Sequence, residues 1–231
     1  MTEDTLGVVM LDTRFPRLRG DIGNAATFSF AVRYRTVTGA FPQRVVVERD
    51  PALLRPFVDA ARSLADEGVT AIVTSCGFLA LFQREMQDAV DVPVWTSSLL
   101  KVVELQATLP AGRRAGIVTV DAASLRAEHL AAVGASLDAP IEGLGLDSAF
   151  RRTLLENRAE LDVGEARDAT VAAATRLVER HPEVGAIVLE CTNMPPYAGA
   201  VCAATGRAVH DITTLIAERF ASTDRLRALS R

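Results

Sequence analysis

The chain has 231 residues, of which 49% are hydrophobic and 23% charged, with a formal net charge of −4 at pH 7. This is the composition of a globular protein that buries its own core. A mildly acidic chain without a basic block predicts neither nucleic-acid nor membrane partners. No apolar run approaches the roughly 20 residues that span a bilayer. The acidic start, Met1–Asp4, lacks the basic and apolar regions of a secretory signal, so we expect a cytoplasmic protein.

Apolar runs alternate with amphipathic stretches of helical length along the chain, which predicts βαβ units and a mostly parallel sheet. The predicted strands are 7–11, 44–47, 71–73, 92–94, 116–119, 186–189 and 208–209. The predicted helices are 51–67, 77–89, 97–108, 122–133, 162–180 and 211–220. The predicted class is therefore α/β.

The two halves of the chain resemble each other. Residues 71–76 match residues 186–191, which places Cys191 at the position of Cys76, 115 residues further on. Three matches occur in the same order: 71–76 with 186–191, 94–96 with 209–211 at the same spacing, and 7–12 with 116–121 at a spacing of 109. We therefore predict two similar Rossmann-like lobes related by a pseudo-twofold axis, with the active site in the cleft between them.

The matched elements also predict where the lobes begin and end. Lobe 1 is expected to comprise residues 1–110 and lobe 2 residues 111–210, with the crossover at the basic, proline-containing stretch 109–114. The C-terminal helix, 211–231, could pack on either lobe, and we assign it to lobe 1.

Three cysteines, Cys76, Cys191 and Cys202, are widely spaced and form no C-x-x-C pair. This pattern predicts free thiols rather than disulfides or a structural zinc site, and no metal is expected. Cys76 and Cys191 each follow a predicted strand, at the edge of a parallel sheet where ligands bind. Amide groups at a helix start can lower a thiol pKa and bind anions. Cys202 lies in a helix of small residues and is interpreted as a packing residue.

Two opposed thiols can invert a carbon centre without a cofactor, because one removes a proton from one face while the other delivers a proton to the opposite face. The alternative for Cys76 and Cys191 is a packing role at two strand ends. The alternative for the whole chain is a non-catalytic, two-lobed carboxylate-binding protein, since fold does not fix function.

These cysteines, with Thr192 after the second and Asp12 closing the first strand, resemble the aspartate/glutamate/hydantoin racemase superfamily over nearly the whole chain. The resemblance implies two Rossmann-like lobes, no pyridoxal phosphate, no other cofactor, and a homodimer as a frequent assembly. Superfamily members racemise amino acids or hydantoins, isomerise maleate or decarboxylate arylmalonates. The chain is thus predicted to be a cofactor-independent racemase or isomerase acting next to the carboxylate or carbonyl of a small acid, with a maleate-isomerase-like or arylmalonate-decarboxylase-like enzyme as the alternatives.

The resemblance also implies roles for individual residues. Cys76 and Cys191 correspond to the paired acid/base residues, and a second group corresponds to the residues that hold the substrate carboxylate: Thr74, Ser75, Gly77, Thr192 and Asn193. Asp12 lies where glutamate racemases have the Asp of an Asp-Ser-Gly turn.

The chain departs from that pattern at several positions. Gly77 replaces the usual Asn after the first cysteine, and Asn193 replaces a His after the second motif. The glycine-rich turn is replaced by the loop 14–24, whose Arg14 and Asn24 we predict to bind substrate; a solvated surface loop is the alternative. Glu190 is either a helper base, a charge that raises the thiol pKa, or a surface group. His210 is a candidate for orienting substrate.

Overall fold

Residues 4–229 are described by a computed structural model of the chain, with side chains up to residue 220. They form eight strands in two parallel four-stranded sheets, which confirms the predicted α/β fold class. The strands are β1 (Thr5–Leu11), β2 (Ala31–Val37), β3 (Ala71–Thr74), β4 (Val94–Trp95), β5 (Arg114–Thr119), β6 (Ile141–Gly143), β7 (Val184–Leu189) and β8 (Ala208–His210). The helices are α1 (Leu54–Asp66), α2 (Gln83–Asp88), α3 (Leu99–Thr108), α4 (Ala127–Ala132), α5 (Ala149–Leu155), α6 (Val163–Arg180), α7 (Ala198–Thr205) and α8 (Ile212–Leu229).

The two sheets have the same topology. The strand order is β2-β1-β3-β4 in the first sheet and β6-β5-β7-β8 in the second. Gly7 pairs with Ile72 in the first sheet, and Gly116 pairs with Ile187 in the second. These pairs reproduce the spacings of 109 and 115 residues found between the matched segments.

The central strands are covered on both faces, which explains their continuous apolar runs. A Cβ at Gly116 would lie 2.9 Å from the side chain of Leu177 in α6. At the equivalent Gly7 it would lie 3.2 Å from the side chain of Leu64 in α1. The matched glycines therefore let one helix pack closely on each sheet.

Helix α8 returns the chain to the first sheet. Its residues Ile212, Leu215 and Ile216 pack with Trp95 and the buried face of β1 in a separate apolar cluster. The proposed lobe boundaries at residues 110 and 210 stay a prediction, and residues 230–231 of the predicted terminal helix lie outside the described residues.

The strand predicted at 44–47 is wrong. Gln43–Glu48 forms a π-helical turn that ends at Arg49 in a left-handed conformation (φ 52°). Arg44 closes this turn by donating to Asp50 Oδ2 (2.6 Å) and to the Gly39 carbonyl (2.7 Å). The sheet edge is occupied instead by β2, which the sequence analysis missed together with the short β6. A four-residue apolar run does not by periodicity alone distinguish a strand from a buried helical turn.

Across the described part of the chain, none of the helices has both the length and the apolar character needed to traverse a lipid bilayer.

Candidate active site

One cavity is lined by residues from both halves of the chain, among them residues that follow strands of both sheets. Both Cys76 and Cys191 contribute to its wall, as the duplication predicts. The first half of the chain also supplies Leu11, Phe15, Arg17, Pro42, Val46, Ser75, Gly77 and Phe78. The second half supplies Val120, Leu154, Leu155, Glu190, Thr192 and Asn193. The wall is thus mainly apolar, with a few polar groups concentrated around the two thiols.

The two cysteines occupy equivalent positions just beyond β3 and β7. Cys76 precedes a 3₁₀ turn over Gly77–Phe82 and is half-buried. Cys191 is 8% exposed, and its thiol donates to Asn193 Oδ1 over 3.6 Å. Both thiols therefore face one enclosed space, the arrangement that a pair of acid/base groups needs.

The expectation that helix starts lower the thiol pKa values is wrong. Burial raises the pKa of Cys76 to about 12, and the charge of Glu190 adds to the rise. Hydrogen bonds from the main-chain N–H groups of Phe78 and Leu79 lower it by less. Burial and Glu190 likewise raise the pKa of Cys191 well above its ordinary value. Desolvation of the thiolate outweighs the amide donors at both sites.

Glu190 is fully buried rather than exposed on the surface. Thr119 donates a hydrogen bond from its hydroxyl to Glu190 Oε2 over 2.7 Å, whereas Oε1 is without a hydrogen-bond partner among the described residues. Burial raises the pKa of this carboxyl to about 7. Glu190 thus adds a titratable carboxyl to the residues of the cavity wall. It directly precedes Cys191 in the sequence, and its charge raises the pKa of both thiols.

Arg17 lines the cavity, whereas Arg14 does not, and the predicted role of Arg14 in binding substrate stays a prediction. Arg14 is exposed, outside the cavity lining, and its main-chain N–H donates to Asn157 Oδ1 (2.7 Å). Arg17 instead donates from Nη1 to Asp21 (3.1 Å) and from Nη2 to Thr13 (2.9 Å). Its buried Nε is without a hydrogen-bond partner in residues 4–229. The i,i+4 spacing of Arg17 and Asp21 was the available sequence signal.

A hydrogen-bond network connects this cation to the second cysteine. Asn193 donates from Nδ2 to Asp21 Oδ2 (2.5 Å), and its Oδ1 accepts from the Cys191 thiol. Burial raises the pKa of Asp21, and the nearby Arg17 partly offsets that rise. Arg17 and Cys191 are therefore held in one network that crosses the cleft.

Three further predicted binding residues lie outside the cavity lining, and their role in binding substrate stays a prediction. Asp12 accepts from the Gly39 N–H (2.9 Å), and Asn24 caps a 3₁₀ turn by accepting from Ala26. The Thr74 hydroxyl donates to the Thr96 carbonyl (2.6 Å). Each polar group is used to hold a loop or strand end, because main-chain groups there need partners.

Ser75, Gly77, Thr192 and Asn193 do line the cavity, as the two cysteines do. The Thr192 hydroxyl donates to the Ser75 carbonyl (2.6 Å), so it joins the two halves of the cleft as well. Gly77 is required by close packing, because a Cβ there would collide with Glu190 Oε1.

His210 and Cys202 lie elsewhere. His210 is partly buried on β8, outside the cavity lining, and burial lowers its pKa. Cys202 is exposed on α7. Neither side chain has access to the thiol pair.

Comparison with known proteins agrees with this arrangement. A profile of the Asp/Glu/hydantoin racemase family matches residues 48–220. A dimethylsulfoniopropionate lyase from Durusdinium sp. clade D is 32% identical over 90% of this chain and 71% of its own length. Dimethylsulfoniopropionate lyase 7 from Emiliania huxleyi is 30% identical over 91% of this chain. The chain spans 64% of the length of that second relative.

Solved structures share the fold at low sequence identity. Glutamate racemase from Francisella tularensis superimposes with a TM-score of 0.62 at 15% identity, covering 98% of this chain and 82% of that one. A variant of arylmalonate decarboxylase superimposes with a TM-score of 0.61 at 19% identity, covering 89% of this chain and 87% of that one. With the family profile spanning most of its length, the chain belongs to the Asp/Glu/hydantoin racemase family.

Proposed function

We propose that the chain is an enzyme that removes a proton from the carbon next to the carboxylate of a small acid, with Cys76 and Cys191 as its proton-transferring residues. The observation that carries the proposal is the presence of both thiols in the wall of one cavity. Packing would explain one buried cysteine, but it gives no reason for two at equivalent strand ends around a shared space.

The substrate carboxylate binds to Arg17 in this proposal. The guanidinium keeps N–H groups beyond those used for Asp21 and Thr13, and it lines the same cavity as the thiols. A charge-assisted hydrogen bond in a mainly apolar space is stronger than the same bond in water. Arg17 therefore fixes the end of the substrate, and the apolar wall formed by Leu11, Phe15, Val46 and Phe78 restricts its size.

The apolar wall also serves the chemistry. Proton removal next to a carboxylate develops charge on the carboxylate oxygens, and fixed donors in a water-poor site stabilise that charge. Arg17 and the Asn193 side chain are the polar groups available for this. Ser75 and the main-chain amides beyond Cys76 complete the set.

Elimination is our first candidate for the outcome of the reaction. It begins with the same proton removal, after which the carbon–sulfur bond beta to the carboxylate breaks. The electron pair of the C–H bond forms the C=C bond, the proton passes to a cysteine, and the sulfur leaves with the electrons of the broken bond. The two relatives named dimethylsulfoniopropionate lyases, about 30% identical over nine-tenths of this chain, favour this outcome.

Racemisation or isomerisation is the second candidate. It is favoured by the second thiol, because elimination needs only one proton acceptor whereas inversion needs a donor on the opposite face. The family contains racemases, and the fold is that of glutamate racemase.

A paired assay tests the proposal and separates the two outcomes. The enzyme is incubated with dimethylsulfoniopropionate and the release of dimethyl sulfide is measured by gas chromatography. In parallel, aspartate, glutamate and a hydantoin are incubated in deuterated water, and deuterium at the α-carbon is measured by mass spectrometry. Sulfide release supports elimination, and deuterium in a product of inverted configuration supports racemisation. If neither sulfide nor deuterated product forms, the proposed function is wrong.

Cysteine variants then test the residues. If the outcome is racemisation, we expect Cys76→Ser and Cys191→Ser each to lower turnover by about 10²–10⁴-fold, the usual contribution of a general acid–base group. If the outcome is elimination, we expect that loss in the variant that lacks the proton-accepting thiol. Cys202→Ser is the matched control and should retain full activity, because that thiol is exposed on α7 away from the cavity. Full activity in both cavity variants would refute the thiol mechanism.

A further inference from the structure

Glu190 contains an ionisable oxygen for which the surrounding protein provides no partner. The side chain is fully buried, Oε2 accepts from Thr119, and Oε1 is unpaired among the described residues. No ion pair reaches this carboxyl within residues 4–229. An isolated buried carboxylate is unfavourable unless it is paired or protonated. A fold that keeps such a group at its cavity needs it to bind something, and a proton is the smallest candidate.

The position of the carboxyl relates it to both thiols. Glu190 directly precedes Cys191, and its Oε1 lies against the main chain of Gly77, which directly follows Cys76. Only glycine fits at position 77, because a Cβ would lie 2.5 Å from the Glu190 carbonyl oxygen and would also collide with Oε1. The main chain of Glu190 is fixed because its N–H donates to the Val118 carbonyl (2.8 Å), and the carboxyl is fixed because the Thr119 hydroxyl donates to Oε2.

We propose that Glu190 is the shared proton acceptor of the two cavity thiols. When a thiolate forms at Cys76 or Cys191, the S–H bond breaks and the proton moves to Glu190 Oε1, forming an O–H bond. For Cys191 this requires the thiol to turn away from Asn193 Oδ1, to which it donates in the structure. The total charge of the carboxyl and the thiol stays at one negative charge throughout. This assignment rests on the proposed function, because it explains how a buried thiol becomes the base that removes the substrate proton.

The electrostatics of the cavity couple the Glu190 carboxyl to both thiols. The pKa of Glu190 rises to about 7 because of burial, and the hydrogen bond from Thr119 opposes that rise. The charge of Glu190 is the second cause, after burial, of the raised pKa of each thiol. Interacting groups of this kind titrate as one unit. The charged or titratable groups that act on the two thiols are Glu190 on both, Arg17 on Cys76, and Asp21 and Cys76 on Cys191.

The proposal fixes the pH dependence of the reaction. A carboxylate that accepts the thiol proton must itself be unprotonated in the free enzyme. We therefore expect kcat/KM to rise with pH through the Glu190 pKa of about 7. A purely structural carboxyl would leave no such limb in the profile.

Glu190→Gln tests the proposal, because glutamine keeps the shape and the bond to Thr119 but cannot take the proton. Alkylation of each thiol by iodoacetamide is followed against pH by mass spectrometry, with exposed Cys202 as the internal control. Without the Glu190 charge, we expect the alkylation midpoints of Cys76 and Cys191 to move to lower pH by about one unit or more. Turnover should nevertheless fall by about 100-fold, and the limb near pH 7 should disappear.

The proposal is supported if the thiols of Glu190→Gln are more reactive than those of the parent enzyme while its turnover is slower. Unchanged alkylation midpoints, or turnover within threefold of the parent enzyme, would overturn it. Thr119→Val is a second, independent variant that removes the bond opposing the pKa rise, so the limb of kcat/KM should move to higher pH. If the limb of kcat/KM stays at the same pH in Thr119→Val, the limb belongs to another group and the proposal is likewise overturned.

The two arms keep this inference separate from the proposed function. If the parent enzyme turns over no carbon acid, the proposed function fails. The alkylation midpoints of the Glu190→Gln variant can then still overturn the inference, because unchanged midpoints would show that the Glu190 charge does not act on the thiols.

Discussion

Arg17 and Asp21 form a buried ion pair whose cation also lines the cavity. Their side chains are 12% and 3% exposed, so the pair is removed from water. A buried pair of this kind contributes little net stability, but removing one partner is costly because the other remains charged and unpaired. Variants of both residues therefore separate the contribution of Arg17 to stability from its contribution to substrate binding.

We expect Arg17→Met to lower the free energy of unfolding by about 3–5 kcal/mol, the usual cost of an uncompensated buried charge. It should also raise KM for a carboxylate substrate by at least tenfold, since a charge-assisted hydrogen bond is lost. In Arg17→Met/Asp21→Asn, stability should largely return while KM stays high, as measured by urea unfolding and steady-state kinetics. Recovery of KM in the double variant would show that Arg17 serves only to neutralise Asp21.

His129 connects burial to the pH dependence of stability. It is fully buried, its Nδ1 accepts from the Arg126 N–H (3.1 Å), and its ring packs edge-on against Phe78 beside the first cysteine. Burial lowers its pKa from 6.5 to about 4. Protonation of this ring therefore favours the unfolded chain.

The sign of the effect follows from proton binding. Above pH 6.5 the ring is neutral in both states, and between pH 6.5 and about 4 only the unfolded chain binds the proton, so stability falls as the pH falls. At about 1.4 kcal/mol for each pH unit, the loss is at most about 3.5 kcal/mol. We expect His129→Gln, which keeps a hydrogen-bond acceptor, to flatten the curve of unfolding free energy between pH 6.5 and 4. His181→Gln, at an exposed position, is the control, and an equal flattening there would exclude His129 as the cause.

At the scale of elements, the π-helical turn Gln43–Glu48 is the part of the fold that the apolar pattern predicted least well. Val45 and Val46 are buried as a strand residue would be, and Val46 lines the cavity. The difference lies in interactions that periodicity does not show: Arg44 bonds to Asp50 and to the Gly39 carbonyl. π-helical turns often occur next to functional sites.

The turn ends at Arg49, whose positive φ of 52° is unfavourable for a residue with a Cβ. We expect Arg49→Gly to raise the free energy of unfolding by about 0.5–1 kcal/mol, because relief of the left-handed strain exceeds the added entropy of the unfolded chain. Arg62→Gly, in the middle of α1, should lower it by about 1 kcal/mol. Chemical unfolding of both variants measures the difference, and destabilisation by Arg49→Gly would contradict the strain argument.

At the scale of the whole molecule, the duplication was readable in the sequence because each buried strand keeps its apolar run on both copies. The spacing of 115 residues between Cys76 and Cys191 was sufficient to predict equivalent strand ends, and the register of both sheets reproduces it. The inner strands are constrained by burial on both faces. The edge strands β2 and β6 are less constrained, and neither was predicted.

The cavity was harder to predict than the sheets. Main-chain geometry decides which polar groups hold loops and which face the cavity, and the sequence of loop 14–24 does not specify this. Arg14 and Arg17 are chemically identical, yet only Arg17 lines the cavity and has a buried carboxylate partner in Asp21. The burial of Glu190 could not be predicted either, because the alternation of side chains along a strand does not say which face of the sheet a residue at the strand end occupies.

Alignment of the two halves depends on a few buried hydrogen bonds across the cleft. The Ser98 hydroxyl, at the start of α3, donates to the Leu189 carbonyl (2.8 Å) at the end of β7, directly before Glu190 and Cys191. Its neighbour Ser97 is equally buried, but its hydroxyl only accepts from the nearby Leu99 N–H (3.1 Å). The two serines thus differ in whether their bond is local or links the halves.

This contrast yields a prediction for the whole molecule. We expect Ser98→Ala and Ser97→Ala each to lower the free energy of unfolding by about 1–2 kcal/mol, since each leaves a buried main-chain group without its partner. Only Ser98→Ala should also reduce kcat/KM, by about tenfold or more, because a small displacement of Cys191 relative to Cys76 disturbs proton transfer. Thermal unfolding and steady-state kinetics on the two variants make the comparison. Equal kinetics in both would mean that apolar packing, rather than this hydrogen bond, sets the position of the second thiol.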